Sequence, residues 1–342
     1  MCYDVVRQLC GIRINKIGSL LTVLLLVAGF ASSAPAAIPR PSKYVSIDYS
    51  TIDAYARNTP ESEAKTLDKL SRYLTAPART DLAKARSVYS WIASHVRYDE
   101  SAFQGRMYSS ETAYASRVLS SRKAVCTGFA LLYKELMNRA GIETANIKGY
   151  ARTNDFESGM PITRVDHEWN AVKLDGDWFL LDLAWAQSTA KVPGTPNDFY
   201  FLTDPVPFSA NHFPVDSRWQ LLDKPTSKTQ FDRYPKVYDA YFRLGLDTDF
   251  PQEGLLRSGE TLTLSLRSDQ PVEFSCAIGP YNGTVLTSSA VSVRQSGNVY
   301  QLSIPISRRG KSTVCLFAKP KGKVSERIKS YEGILSFTVA RD

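Results

Sequence analysis

Scarcity sets the first limits on this chain of 342 residues. It has three histidines, His95, His167 and His212, and five cysteines, and no spacing among them resembles a zinc site. No catalytic metal is therefore expected, and nothing in the sequence calls for a cofactor. The apolar run from Leu20 to Ala31 covers twelve residues, where a membrane span needs about 20. No run of five like charges occurs and no nucleic-acid motif is present, which removes nucleic acid from the expected partners. Internal repeats and low-complexity segments are also missing.

What is there begins with residues 1–36. Arg7, Arg13 and Lys16 precede the apolar run, and the small residues from Ser32 to Ala37 follow it. This is the pattern of a secretory signal peptide cut near Ala34 or Ala36, so export to a periplasmic or secreted location is expected. An uncleaved anchor is the alternative, and the run is short for it. Cleavage would remove three basic residues and Asp4, changing the formal charge from +8 to +6. A basic balance suits an anionic cell-envelope surface as a partner, although a solvated basic surface is the commoner explanation.

The leader also takes Cys2 and Cys10, leaving Cys126, Cys276 and Cys315. Cys276 and Cys315 sit in β-like runs of the C-terminal third, and in an oxidising compartment they are expected to pair as a disulfide. The competing reading is two buried hydrophobes. Either way Cys126 is the thiol left over.

Cys126 opens a segment with apolar residues at Phe129, Leu132, Tyr133, Leu136 and Met137 and a glycine at Gly141, which predicts a helix from Cys126 to about Ala140 with a C-terminal cap. An amphipathic helix is predicted upstream from Asp81, read as its cap, with Leu82, Ala85, Val88, Tyr89, Ile92 and Val96 on one face. A strand follows Gly141, and residues 153–166 read as an exposed loop. Asp175-Gly176 is a strong type I′ turn signal between two strand-like runs, pairing Leu174 with Asp177. Counting back sets Trp169 opposite Asp182, so His167, two residues earlier, projects from the same side as Asp182.

Thiol, imidazole and carboxylate are the parts of a nucleophilic cysteine enzyme. Cys126 in the first turn of a helix meets the positive end of the dipole, with Arg122 and Lys123 upstream, and both favour the thiolate. His167 would move the proton and Asp182 would hold its tautomer. The Cys126 N–H could supply half an oxyanion hole; Gln104 is the candidate for the second donor. Trp169 and Trp185 are candidates for the wall of the site, with core packing as their plain use. Each group alone has a plain reading too: a buried thiol, a core histidine, a turn-capping aspartate. The joint placement favours chemistry. His212, before Phe213-Pro214, reads as a structural hydrogen-bonding residue, and His95 as a cation at a helix C-terminus.

The stretches KAVCTGFALLYKELMNRAGIE, VDHEWNAVKLDGDWFLLDLAW and FYFLTDPVPFSANHFPVDSRWQLL resemble the transglutaminase-like superfamily, and specifically its kyphoscoliosis-peptidase-like branch, over roughly residues 80–235. The resemblance implies that Cys126 is the nucleophile, His167 the base and Asp182 the orienting acid, on a papain-like fold with the cysteine helix packed on an antiparallel sheet. It implies acyl transfer through a thioester, as a peptidase or amide hydrolase first and a crosslinking transglutaminase second, on a protein or peptide substrate. A non-catalytic binding module of the same fold is the competing class. Two positions depart from the family pattern: Ala124 and Ala186 stand where glycine is usual, which bears on the turn before the helix and the loop beside the site.

Residues 223–236 read as a linker. Beyond them TLTLSLRS, PVEFSCAI, AVSVRQ, VYQLSIPI, STVCLFAK and ILSFTVA alternate as strands between turn residues and predict a β-sandwich. The expected organisation is a signal peptide over 1–36, a helical or irregular segment over 37–80, an α+β catalytic domain over 81–235 and an all-β sandwich over 236–342.

Overall fold

The computed structural model describes residue 44 and residues 47–102, 108–192, 194–322 and 330–342, so the leader and Gln104 lie outside the described residues. The described chain divides into two compact units, one of residues 44–153 and 160–234, the other of 154–159 and 235–342. No helix among the described residues is long and apolar enough to cross a membrane.

Five helices lead the first unit: α1 (Ser50–Arg57), α2 (Leu67–Thr75), α3 (Asp81–His95), α4 (Glu111–Ser121) and α5 (Cys126–Arg139). Three of them start on a hydroxyl: Thr66, Thr80 and Ser110 each accept the backbone N–H three residues on. Thr80, not Asp81, is thus the cap of α3, and Asp81 is its first residue, where a negative charge meets the dipole. Of the predicted apolar face of α3, Ala85, Val88, Tyr89, Ile92 and Val96 are buried, and Leu82 in the first turn is only half-buried. The same helix buries Arg86, which is tolerated because Asp53 takes it at 2.7 and 2.6 Å and Asp198 at 2.7 Å.

Helix α5 ends where expected. Gly141 takes φ +76° and Ile142 N–H reaches back to Met137 O at 3.0 Å, closing the last turn around a residue without a side chain. Its predicted face is buried, but so are Ala130 and Leu131, because α5 runs between other helices and the sheet.

The sheet of this unit is antiparallel, in the order β4-β3-β2-β1-β5, formed by β1 (Thr144–Ala151), β2 (His167–Leu174), β3 (Asp177–Leu181), β4 (Phe201–Thr203) and β5 (His212–Pro214). The β2-β3 hairpin has the predicted register, Leu174 opposite Asp177 and Asn170 opposite Leu181. Asp175 and Gly176 both take positive φ, 52° and 92°, as a type I′ turn requires. A short helix, α6 (Leu183–Ser188), leaves the end of β3. Ile147, Trp169, Ala171, Leu180 and Phe208 form a core cluster of the sheet.

The second unit carries the predicted strands, with three more that sequence patterning missed because they are short. One sheet joins β8 (Thr261–Arg267), β12 (Val299–Pro305) and β11 (Ser292–Ser296). The other runs β10 (Thr287–Ser289), β9 (Val272–Pro280), β13 (Gly310–Pro320), β14 (Glu332–Arg341), β6 (Lys236–Val237), with β7 (Leu255–Ser258) parallel beside β14. Buried rows at Leu262, Leu266, Tyr300, Leu302 and Ile304 and at Phe274, Val314, Leu316, Leu335 and Phe337 make a sandwich core, and the Phe274 and Tyr300 rings meet edge to face at 5.3 Å. The architecture is α+β followed by an all-β sandwich, as the sequence implied.

Three expectations are corrected. The loop over 153–166 is not wholly exposed: Ser158 is buried, sharing a 3.0 Å hydrogen bond with Ser336 Oγ and accepting the Lys236 N–H at 2.9 Å. The linker over 223–236 contains a helix, Lys228–Arg233, that buries Phe231; its polar composition hid one anchoring ring. Cys276 and Cys315 are free thiols rather than a disulfide. Cys315 stands opposite Ala277 and Cys276 opposite Leu316, so the two are one residue out of step on neighbouring strands and point to opposite faces of the sheet.

Candidate active site

The approach to Cys126 is bent by Arg122, which takes a left-handed conformation (φ 57°) at the end of α4. Lys123 and Ala124 then run parallel to Arg97 and Tyr98, held by Arg97 N–H to Arg122 O and Asp99 N–H to Ala124 O, both 2.9 Å. Val125 is extended and Cys126 is the first residue of α5. Val125 has no side chain that can cap the helix, and while Gly128 N–H bonds Val125 O at 2.9 Å, the Cys126 and Thr127 N–H groups at the helix start are those an oxyanion beside the thiol could use. The basic neighbours contribute less than their sequence position promised. Arg122 pairs with Glu61 at 3.1 Å and lies over the Trp91 ring, and Lys123 pairs with Asp99 at 2.9 Å.

Neither alanine departure strains the backbone, since Ala124 and Ala186 both avoid positive φ. A Cβ at Gly128 would come within 2.8 Å of the Ala124 methyl. Gly128, one turn into α5, supplies the space that a glycine at 124 would otherwise leave. Ala186 lies inside α6, where alanine is favoured over glycine.

Cys126, His167 and Asp182 come together. Cys126 is 7 % exposed and its thiol faces the Asp166 carbonyl at 3.7 Å. His167 Nε2–H donates to Asp182 Oδ2 at 2.7 Å, so Nδ1 is the ring nitrogen left for the sulfur. Burial opposes a charge on His167, but the Asp182 carboxylate and then the Cys126 sulfur overcome it, pushing His167 up to about 10. Burial also works against ionised Asp182, yet the His167 and His212 rings hold its carboxyl below the usual range. Asp182 also does what its plain reading said: Oδ1 accepts Trp185 N–H at 2.9 Å and caps α6.

Trp169 and Trp185 are both buried against the histidine, with ring centroids 5.9 and 5.5 Å from His167. Gln104 lies outside the described residues. His95 stacks on Trp91 at the end of α3, away from this cluster.

Sequence reasoning missed two contributors. His212 Nε2 meets Asp182 Oδ2 at 3.0 Å, the oxygen that His167 uses. The reason is register: His167 on β2 faces Gly149 and His212 on β5 faces Ala151 of the strand β1 between them, so two imidazoles share one side of the sheet with only small residues between them. Gly149 is required there, because a Cβ would lie 2.4 Å from both Phe213 O and the Trp169 ring. The β1-β5 pairing joins distant segments and has no local signal. Glu168 is the second: its carboxylate accepts Thr127 Oγ1–H at 3.0 Å and Asn146 Nδ2–H at 2.7 Å, tying the first turn of α5 to β1 and β2.

The donor atoms of His167, Asp182 and His212 lie within 4.8 Å of one another, a set that could hold a metal ion. Their hydrogen bonds point at one another, at 2.7 and 3.0 Å, which describes a proton-sharing cluster.

Two family models match: the transglutaminase-like superfamily over residues 68–183, and the KY-like, immunoglobulin-like domain over residues 228–342. Among curated proteins the chain is 28 % identical over 307 residues to the kyphoscoliosis peptidase of Homo sapiens, covering 87 % of this chain and 44 % of that protein. It is 28 % identical over 275 residues to hillarin of Drosophila melanogaster (73 % and 32 %), and 25 % identical over 236 residues to cytokinesis protein 3 of Schizosaccharomyces pombe (67 % and 26 %). The chain thus spans less than half the length of these relatives. These relatives are eukaryotic proteins, one of them named for cytokinesis, which points against export and overturns the periplasmic or secreted placement. The leader reading rested on one short apolar run with basic flanks, a compositional pattern with no structural context, and the cell-envelope partner loses its premise with it. A transglutaminase-like domain, which contains Cys126, His167 and Asp182, is thus joined in one chain to a KY-like, immunoglobulin-like domain, and the curated matches support the kyphoscoliosis-peptidase-like branch.

Proposed function

We propose that this chain is a cysteine-dependent acyl-transfer enzyme in which Cys126 is the nucleophile, His167 the general base and acid, and Asp182 the residue that orients His167. The observation that carries the reading is the 2.7 Å bond from His167 Nε2 to Asp182 Oδ2, which leaves Nδ1 to serve the interacting thiol at the first residue of a helix. In the first half-reaction the Cys126 sulfur attacks the carbonyl carbon, the C–N bond breaks, and the imidazolium Nδ1–H protonates the departing amine, leaving a thioester. In the second, His167 takes a proton from the acceptor, which adds to the thioester and expels the thiolate. The Cys126 and Thr127 N–H groups at the start of α5 face the oxyanion in both steps.

Hydrolysis of a peptide or amide bond is the first choice, in keeping with the name peptidase borne by the human relative. A lysine amine as acceptor gives protein crosslinking, the second reading, and the buried position of the thiol favours it in one respect: a site that keeps water out prolongs the thioester. Protein or peptide is the substrate class in either case. The test is alkylation by iodoacetamide at neutral pH. Cys126 should react faster than a free thiol, and His167→Ala should abolish the excess; an ordinary rate in the wild type would leave a binding module in place of an enzyme. Incubation with peptides containing glutamine and lysine then separates cleavage from crosslinking by mass.

A further inference from the structure

Asp182 Oδ2 receives two imidazoles, and only one of them has a place in the mechanism above. The second belongs to His212, which is buried, stacked on Phe208 at 4.1 Å and flanked by Trp185 at 4.4 Å and Trp169 at 5.2 Å. Both of its nitrogens face acceptors: Nε2 meets Asp182 Oδ2 at 3.0 Å and Nδ1 meets Phe208 O at 3.2 Å. A neutral imidazole has one N–H and can satisfy one of them. The carboxylate, nearer and charged, is the stronger acceptor.

We propose that His212 is a positioning residue for the reaction, held neutral as its Nε2–H tautomer, and that its N–H pins the carboxylate that orients His167. The inference rests on the function proposed above. With Oδ1 bonded to Trp185 N–H and Oδ2 to both histidines, the Asp182 carboxylate is fixed at three points and cannot rotate away when His167 moves its proton.

The groups around His212 support one charge in this cluster and not two. Asp182 faces it from the start of α6 and His167 from β2; β1 presents Ala151, and the short helix Pro205–Ser209 before β5 presents the Phe208 ring and carbonyl. Once His167 carries the imidazolium, a second cation at a ring-to-ring distance of 5.4 Å is repelled. Burial and that repulsion, against the pull of Asp182, bring His212 down to about 4. A histidine serves here where a permanent cation would not, because it donates to the carboxylate without neutralising it.

The experiment uses the full chain labelled with ¹⁵N. With three histidines, every ring resonance can be assigned by single substitution. The expected result at neutral pH is a singly protonated His212 carrying its proton on Nε2. In His212→Phe, which keeps a flat ring among the aromatics, alkylation of Cys126 by iodoacetamide should slow roughly tenfold, the scale on which partners of a working imidazole act, and the His167 ring signals should shift. His212→Gln, whose amide can reach the same oxygen, should restore most of the rate. An Nδ1–H tautomer, a doubly protonated His212 at neutral pH, or a His212→Phe variant with unchanged alkylation and unchanged His167 signals would overturn the proposal. If instead wild-type Cys126 has ordinary reactivity, the enzymatic reading fails by itself, while the ring spectrum still decides the tautomer.

Discussion

Cys126 in the first unit and Cys315 in the second are both buried, at 7 % and 4 % exposure, yet their surroundings oppose each other. Cys126 starts a helix and faces an imidazole that Asp182 favours in its charged form. Cys315 lies mid-strand; burial, and then the Asp155 carboxylate, push its thiol well above the usual range. Similar burial thus leaves the two thiols beside neighbours of opposite chemistry, an imidazole in one unit and a carboxylate in the other. The two units differ in the same way at larger scale: one holds a buried polar cluster on its sheet, and the other buries apolar rows between two sheets.

The largest effect that could break this contrast is in labelling. At neutral pH, limiting iodoacetamide should modify Cys126 at least about a hundredfold faster than Cys276 or Cys315 in the native protein, read by peptide mass. Comparable rates at all three would show that helix start and imidazole add nothing.

A second test removes the shared carboxylate. Asp182→Ala leaves His167 and His212 without their partner and α6 without its cap, which should cost about 3–5 kcal/mol. Denaturant unfolding followed by tryptophan fluorescence would read it, since Trp91, Trp169, Trp178, Trp185 and Trp219 all belong to the first unit. A loss under about 1 kcal/mol would mean the cluster is solvated and the pairing weak.

The smallest effect is the pH dependence of stability, and its direction differs between the two clustered histidines of the first unit. His167 is raised from 6.5 to about 10, so its contribution is complete below pH 6.5 and is lost as the pH rises toward 10. His212 is lowered from 6.5 to about 4, so stability is complete above 6.5 and falls as the pH drops toward 4. The second unit has no histidine; its raised Cys315 begins to cost stability only above its ordinary 9.0. Thermal melts by tryptophan fluorescence should therefore decline on both sides of neutrality. A melting temperature flat from pH 7 to 9 would contradict a charged His167.

Much of the site was legible because it is local. The Asp175-Gly176 turn sets the β2-β3 register, and register alone puts His167 and Asp182 on one side of the sheet. Gly141 marks the end of α5, and Cys126 its start. Where two segments distant in sequence meet, the signal vanishes: His212 reaches Asp182 only through the pairing of β5 with β1. The same limit explains the disulfide, since spacing in sequence cannot tell that Cys276 and Cys315 are one residue out of step. It explains Arg122 and Lys123 as well, whose charges are spent on Glu61 and Asp99. Composition misled in its own way at the N-terminus, where an apolar run between basic and small residues was read as an address.

The sequence by itself determined the order of reactive groups, the helix on which the thiol sits and the hairpin that carries its partners, because caps, turns and strand alternation act over a few residues. Only the tertiary structure decided how the protons are shared, because a carboxylate bonded at three points depends on strands that pair Ala151 with His212, 61 residues apart in the chain.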